Sequence, residues 1–223
     1  MRINELKIYS PRLKEQSTFY ANVLGLKCIK MNKEQASFQL GSSVLTIEYK
    51  KETTPYHFAI NIPSNKENEA LSWLKARLEI LIEEEIEIHD FDFWNAKAIY
   101  FYDCDKNIVE LIARKNLNNG NSETFNQEQL LNISEIGLPT TNIEAKFSQL
   151  HELSGIQEFS GGFDRFLAFG DEEGLFICIN KDIKDWHPTG DKAHSSAFEM
   201  HFTEKGVNYH IEYKNDQVLV LGA

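Results

Sequence analysis

Apolar and polar residues alternate at 3–10 (INELKIYS): Leu6 and Ile8 point one way, and Glu5, Lys7 and Tyr9 the other. That predicts a strand with two unlike faces. The period changes over 11–24, where Leu13, Phe19, Tyr20, Val23 and Leu24 recur at helical spacing and Gly25 can end the helix. Strands are predicted near 26–31, 35–41 and 44–49. The same order then returns. YHFAINIP at 56–63 reads as a strand, and 64–81 as a helix capped by Ser64, with Ala70, Leu71, Leu74 and Leu78 on one face. Strands follow near 84–89, 97–102 and 107–113.

Residues 115–130 (KNLNNGNSETFNQEQL) are rich in Asn and Gln and poor in apolar residues, which predicts a surface linker. Beyond it the pattern repeats. At a shift of 130 positions Ile3, Glu5 and Gly25 fall on Ile133, Glu135 and Gly155, and Leu45 and Ile47 on Leu175 and Ile177. The stretch 196–221 has room for strands (AFEMHF, NYHIEY, QVLVL) and none for a helix, so a fourth unit is truncated. The fold class is α+β, built from β-α-β-β-β units. The predicted domains are 1–114, holding two units, and 131–223, a degenerate second half.

Charge narrows the function classes. The 223 residues carry a formal net charge of −11, which argues against nucleic-acid backbones and anionic membranes as partners. No apolar run reaches the roughly 20 residues of a membrane helix, and the start MRINELKIYS lacks the apolar centre of a signal peptide. Cys28, Cys104 and Cys178 are far apart and odd in number, which suits a reducing cytoplasm. No Gly-rich phosphate loop and no G-x-S-x-G elbow occurs.

The candidate chemistry centres on IYFYDCDKNIVELIAR at 99–114, a hairpin whose second strand carries Glu110 inside an apolar run. A carboxylate there costs several kcal/mol to desolvate unless something pairs it. It faces water, meets a cation or binds a metal. The aromatic cluster Phe91, Phe93 and Trp94 packs in the core or walls a ligand pocket, and Tyr100 and Tyr102 share one strand face beside it. Trp186-His187-Pro188 reads as a loop anchor or the wall of a second cleft, and Glu83-Glu84-Glu85 as a solvated turn.

Phe19-Tyr20 with Leu24-Gly25-Leu26, His57 opening the second unit, and DCDKNIVEL at 103–111 resemble the vicinal oxygen chelate superfamily of glyoxalases, extradiol dioxygenases and bleomycin-resistance proteins. The family ending is closer to DPDGNxxEL; Cys104 replaces its proline and Lys106 its glycine. The resemblance implies paired units forming curved mixed sheets around a pocket. It also implies a divalent metal (Ni, Mn, Zn, Co or Fe) held from the first strand of each unit and the closing strand. By position those ligands are Glu5, His57 and Glu110, each opposite the apolar face of its strand, with Glu48 ahead of Thr46 for a fourth place.

One imidazole and two carboxylates suit such a metal and leave places for two substrate oxygens. Glu110 or Glu48 is the candidate general base. Lys7, on the same strand face as Glu5, is a pocket residue that can pair with Glu5 or Glu110 and displace the metal. In the degenerate half, Glu135 would need His210 or Glu212 to complete a second site. The implied function is a metal-dependent enzyme acting on a small oxygen-rich molecule, lyase or isomerase ahead of dioxygenase, in a monomer or homodimer. The alternative is a metal-free binder whose acidic groups and aromatic walls take a cationic small molecule.

Overall fold

The predicted alternations become strands with one face in a shared core. The computed structural model describes residues 1–222. The first unit comprises β1 (Arg2–Ser10), α1 (Leu13–Thr18, continued by a wider turn over Phe19–Val23), β2 (Lys27–Met31), β3 (Gln35–Leu40) and β4 (Ser43–Tyr49). The second comprises β5 (His57–Ile62), α2 (Glu67–Lys75), β6 (Ile80–Leu81), β7 (His89–Phe91), β8 (Ala96–Tyr102) and β9 (Ile108–Arg114). The third comprises β10 (Asn132–Thr140), α3 (Ile143–Ser154), β11 (Glu158–Gly162), β12 (Phe166–Asp171) and β13 (Gly174–Asn180). The fourth has strands alone: β14 (Phe198–Glu204), β15 (Val207–Lys214) and β16 (Gln217–Gly222).

These units form two mixed sheets. A seven-stranded sheet runs β16-β15-β14-β1-β4-β3-β2, and a nine-stranded sheet centres on β13-β10-β5-β9-β8. The first unit therefore pairs with the fourth through β1 and β14, and the second with the third through β5 and β10. This corrects the pairing expected from chain order. Residues 1–114 contribute to both sheets, and so do 131–222. The reason lies in the strand edges: Lys7 and Tyr9 of β1 meet Glu199 of β14, both at 3.0 Å, a complement that β5 does not offer.

The 130-residue repeat is kept in detail. β1 and β10 are each nine residues long, with a bulge at the same place, between Ile3 and Glu5 and between Ile133 and Glu135. Gly25 and Gly155 both take left-handed backbone, at φ +69° and +72°, where a side chain is strained. Ser43 links the two bulged strands: its hydroxyl donates to the Ile3 carbonyl at 2.6 Å and accepts from the Ile133 N–H at 3.0 Å.

Phe58, Ile60 and Ile62 of β5 and Val109 and Leu111 of β9 join the core shared by both sheets and the helices. Fully burying each such side chain is worth roughly 1.5–3 kcal/mol. The opposite faces of the same strands carry His57, Ala59 and Glu110, so period two delivers functional groups to one side and the core to the other. Locally the sequence reading needs three adjustments. Helix α2 begins at Glu67, behind Lys66, so Ser64 does not cap it. The stretch 84–89 is a turn, with Glu84 and Glu85 at positive φ, and strand returns only at His89. The segment 115–130 is a packed strap: Phe125 is buried and meets Trp73 at 5.6 Å. Among the described residues no helix is long and apolar enough to cross a membrane.

Candidate functional site

A cavity of about 420 Å³ opens on the face of the nine-stranded sheet away from the shared core. His57, Glu110 and Glu135 meet in it, all buried. The His57 Nε2 lies 3.6 Å from Glu110 Oε2 and 3.8 Å from Glu135 Oε2. Its other ring nitrogen, Nδ1, faces the Ile108 carbonyl at 3.2 Å. A carbonyl only accepts, so Nδ1 carries a proton, and in the neutral ring Nε2 presents its lone pair to the two carboxylates. That is the tautomer of a metal-bound histidine.

Behind the carboxylates lies Arg114, fully buried at the end of β9. Its Nη2 donates to Glu135 Oε1 and its Nε to Asn61 Oδ1 at 3.2 Å, while Nη1 has no partner among the described residues. Two carboxyl groups and one guanidinium thus share a site out of water. Burial first, and Glu135 second, push the Glu110 carboxyl well above the usual carboxylate range; Arg114 and Tyr100 oppose this. Burial likewise raises the Tyr100 phenol, with Glu110 adding to it.

These groups suit a divalent cation. Donor atoms at about 2.0–2.1 Å from a metal lie roughly 3.0–3.4 Å apart, a few tenths of an ångström closer than the two distances from His57 Nε2. The three offer one ligand atom each, all within 4.8 Å of one another. Two first strands and one closing strand supply them, as the resemblance implied, but the second first strand is β10 and not β1.

Glu5 lies on the seven-stranded sheet, where its Oε1 accepts from the Thr46 hydroxyl at 2.7 Å. Lys7 is on that sheet too, 3.0 Å from Glu199 and 3.6 Å from Glu48. The expected set Glu5, His57 and Glu110, with Glu48 as base and Lys7 in the pocket, is therefore split between two sheets. His210 is 3.4 Å from Glu199, so the face carrying Glu5 is filled by a network of paired charges. Phe91, Phe93, Trp94 and Tyr100 do wall the cavity. Tyr102 does not; its hydroxyl bonds Asp191 beside a separate cleft.

Trp186 also walls the cavity, 4.8 Å from the His57 ring. Gly137 leaves room for it, since a Cβ there would come within 2.8 Å of the indole. At the mouth, His187 Nε2 and His89 Nδ1 are 3.0 Å apart, and Glu83 is 3.6 Å from His187 Nδ1. Burial lowers the proton affinity of both rings, and the neighbouring His89 lowers that of His187 further.

No family model and no curated protein matches this sequence. A solved structure, a putative dioxygenase from Bacillus subtilis, superposes with a TM-score of 0.60 at 14% identity, over 80% of this chain and 63% of its own. The chain has the vicinal oxygen chelate fold. It spans less than two thirds of the length of that vicinal oxygen chelate structure. Shorter solved proteins match about half of it. Lactoylglutathione lyase from Agrobacterium tumefaciens matches 49% of this chain and 90% of its own, at 19% identity and a TM-score of 0.43. The fosfomycin resistance protein FosX from Listeria monocytogenes, solved with Mn(II) and a dihydroxypropylphosphonic acid, matches 57% and 93% at 22% identity and 0.38.

Within this vicinal oxygen chelate fold, sequence reasoning underrated Glu135 and passed over Arg114. The signals existed. Glu135 repeats Glu5 at the common shift, and Arg114 shares the strand parity of Glu110.

Proposed function

We propose that this chain is a divalent-metal-dependent enzyme acting on a small molecule through two adjacent oxygens, by lyase or isomerase chemistry. The observation that supports it is the His57 Nε2 opposed to two buried carboxylates in a cavity. His57, Glu110 and Glu135 are the residues that hold the metal, which when bound acts as a Lewis acid on the substrate oxygens. The protein supplies the remainder. The Ile108 carbonyl orients His57, Arg114 holds Glu135, and the sheet and Trp186 restrict water. Glu110 takes and returns a proton beside a carbonyl. A set of one imidazole and two carboxylates differs from the two-histidine set of non-haem iron oxygenases, which puts dioxygenase chemistry second.

The test is metal content after reconstitution with Ni, Mn, Zn, Co or Fe. About one equivalent is expected for the parent chain and for Glu5→Gln, with a loss of at least tenfold in affinity for Glu110→Gln, Glu135→Gln and His57→Asn. A parent chain that takes up none of these metals overturns the proposal. The result then favours a metal-free binder, a reading supported by the charge Arg114 already supplies to Glu135. A cationic ligand fits that binder poorly, because Arg165 and Lys184 both line the cavity.

A further inference from the structure

The chain has 34 acidic and 23 basic residues, and about half of the lysines and arginines meet a carboxylate within 4 Å. Lys75, Lys97, Lys115 and Lys192 each do, at 2.7–2.9 Å. Arg165 and Lys184 belong to the other half, and they are the two whose side chains line the cavity. Neither forms an ion pair among the described residues, and Asp185, next to Lys184, is engaged by Lys192. Yet the fold brings the two cations together. Arg165 sits in the turn between β11 and β12, and Lys184 in the turn after β13. Asn180 ties the turns: its N–H donates to the Arg165 carbonyl at 3.0 Å, and its carbonyl accepts from the Lys184 N–H at 2.9 Å. Both side chains line the cavity that holds His57, Glu110 and Glu135.

Between the cations and that acidic end the walls are aromatic. The Trp94 ring meets Phe91, Phe159 and Phe166 at centroid separations of 5.4–6.2 Å. Two like charges held together without a counter-ion repel, and an anion relieves that cost. Burial and then Arg165 lower the proton affinity of the Lys184 amine, as expected for a cation short of a partner.

We infer that the cavity takes a ligand with a flat apolar body and an anionic group, the anion docking on Arg165 and Lys184 and the opposite end facing His57, Glu110 and Glu135. The inference deepens the metal-enzyme reading by naming its substrate class, aromatic or similarly flat carboxylates and related anions, and rests on that reading only for the chemistry at the far end.

A matched pair of probes tests it on metal-free protein: 2-naphthoate and 2-naphthamide, same body, with and without charge, by titration calorimetry. At low salt the naphthoate should bind about tenfold tighter, and the gap should narrow as salt rises. The double variant R165Q/K184Q should erase the preference, leave the naphthamide affinity unchanged and keep the parent melting temperature. Equal affinities in the parent chain, a preference that survives in the double variant, or binding of neither probe overturns the inference. Metal content separates the two readings. A preference without metal uptake leaves the anion subsite and removes the metal centre; metal uptake without a preference does the reverse.

Discussion

At the scale of single residues, two carboxylates and one guanidinium share a dry site, and Arg114 decides what they cost. It is the one positive charge bonded to Glu135, and it is fully buried. Removing one partner of a buried pair costs roughly 3–5 kcal/mol, because the other charge stays behind. Arg114→Met should therefore lose about that much stability in chelator-treated protein. A divalent cation bound by His57, Glu110 and Glu135 supplies positive charge at the same place, so saturating metal should return part of the loss. Urea denaturation with chelator and with added Zn or Ni measures both. An Arg114→Met chain as stable as the parent without metal would show that Glu135 does not depend on this guanidinium. Arg114 was legible in part: the strand parity of IVELIAR puts it on the side of Glu110. His57 and Glu110 were readable for the same reason. The substitution of Glu135 for Glu5 was not, since the two occupy equivalent repeat positions and only the neighbouring strand distinguishes them.

At the scale of elements, the hairpin β8–β9 shows how a departure from the family's turn is absorbed. Lys106 stands where that turn has glycine and takes left-handed backbone at φ +63°. Asp103 holds the turn in compensation. Its carboxylate accepts from the Tyr20 hydroxyl at 2.7 Å, from Asn107 Nδ2 at 2.8 Å, and from the N–H groups of Asp105 and Asn107 at 2.9 and 3.1 Å. All four partners are donors. Asp103→Asn replaces one acceptor with an amide N–H₂ facing donors, so the near-isosteric change should cost about 1–3 kcal/mol in urea denaturation. Because β9 carries Glu110 and Arg114, the variant should also weaken metal binding without touching a ligand. A loss below about 0.5 kcal/mol, the range of neutral surface changes, would mean that the turn is held by its backbone alone. The turn was legible from DCDKN, and its exchange of glycine conformation for aspartate bonding was not, because Tyr20 comes from a different unit. The helices divide similarly. α3 opens on Asn142, whose side chain accepts from the Ala145 N–H. The start of α2 has no side-chain cap, and neither Ser64 nor the helical periodicity located it.

At the scale of the molecule, the order of units was readable and their pairing was not. Periodicity and the 130-residue repeat are properties of single segments, so they survive in the sequence. Which first strand lies beside which depends on the complement between distant edges: Lys7 and Tyr9 of β1 with Glu199 of β14, while β10 pairs with β5 and carries Glu135 to His57 and Arg114. The consequence is an interleaved chain. Cutting within 115–130 separates β1 from β14 and β5 from β10, and leaves long apolar edges open on both pieces. The fragments 1–114 and 131–223 should each be aggregated or unfolded alone, by far-ultraviolet circular dichroism and gel filtration, and should recover structure when expressed together. Metal binding gives a sharper reading, because the cut places His57 and Glu110 on one piece and Glu135 on the other. Only the reassembled pair should bind a divalent cation with the affinity of the intact chain. A folded 1–114 fragment that binds a full equivalent of metal unaided would restore Glu5 as the third ligand and overturn the exchanged pairing of units.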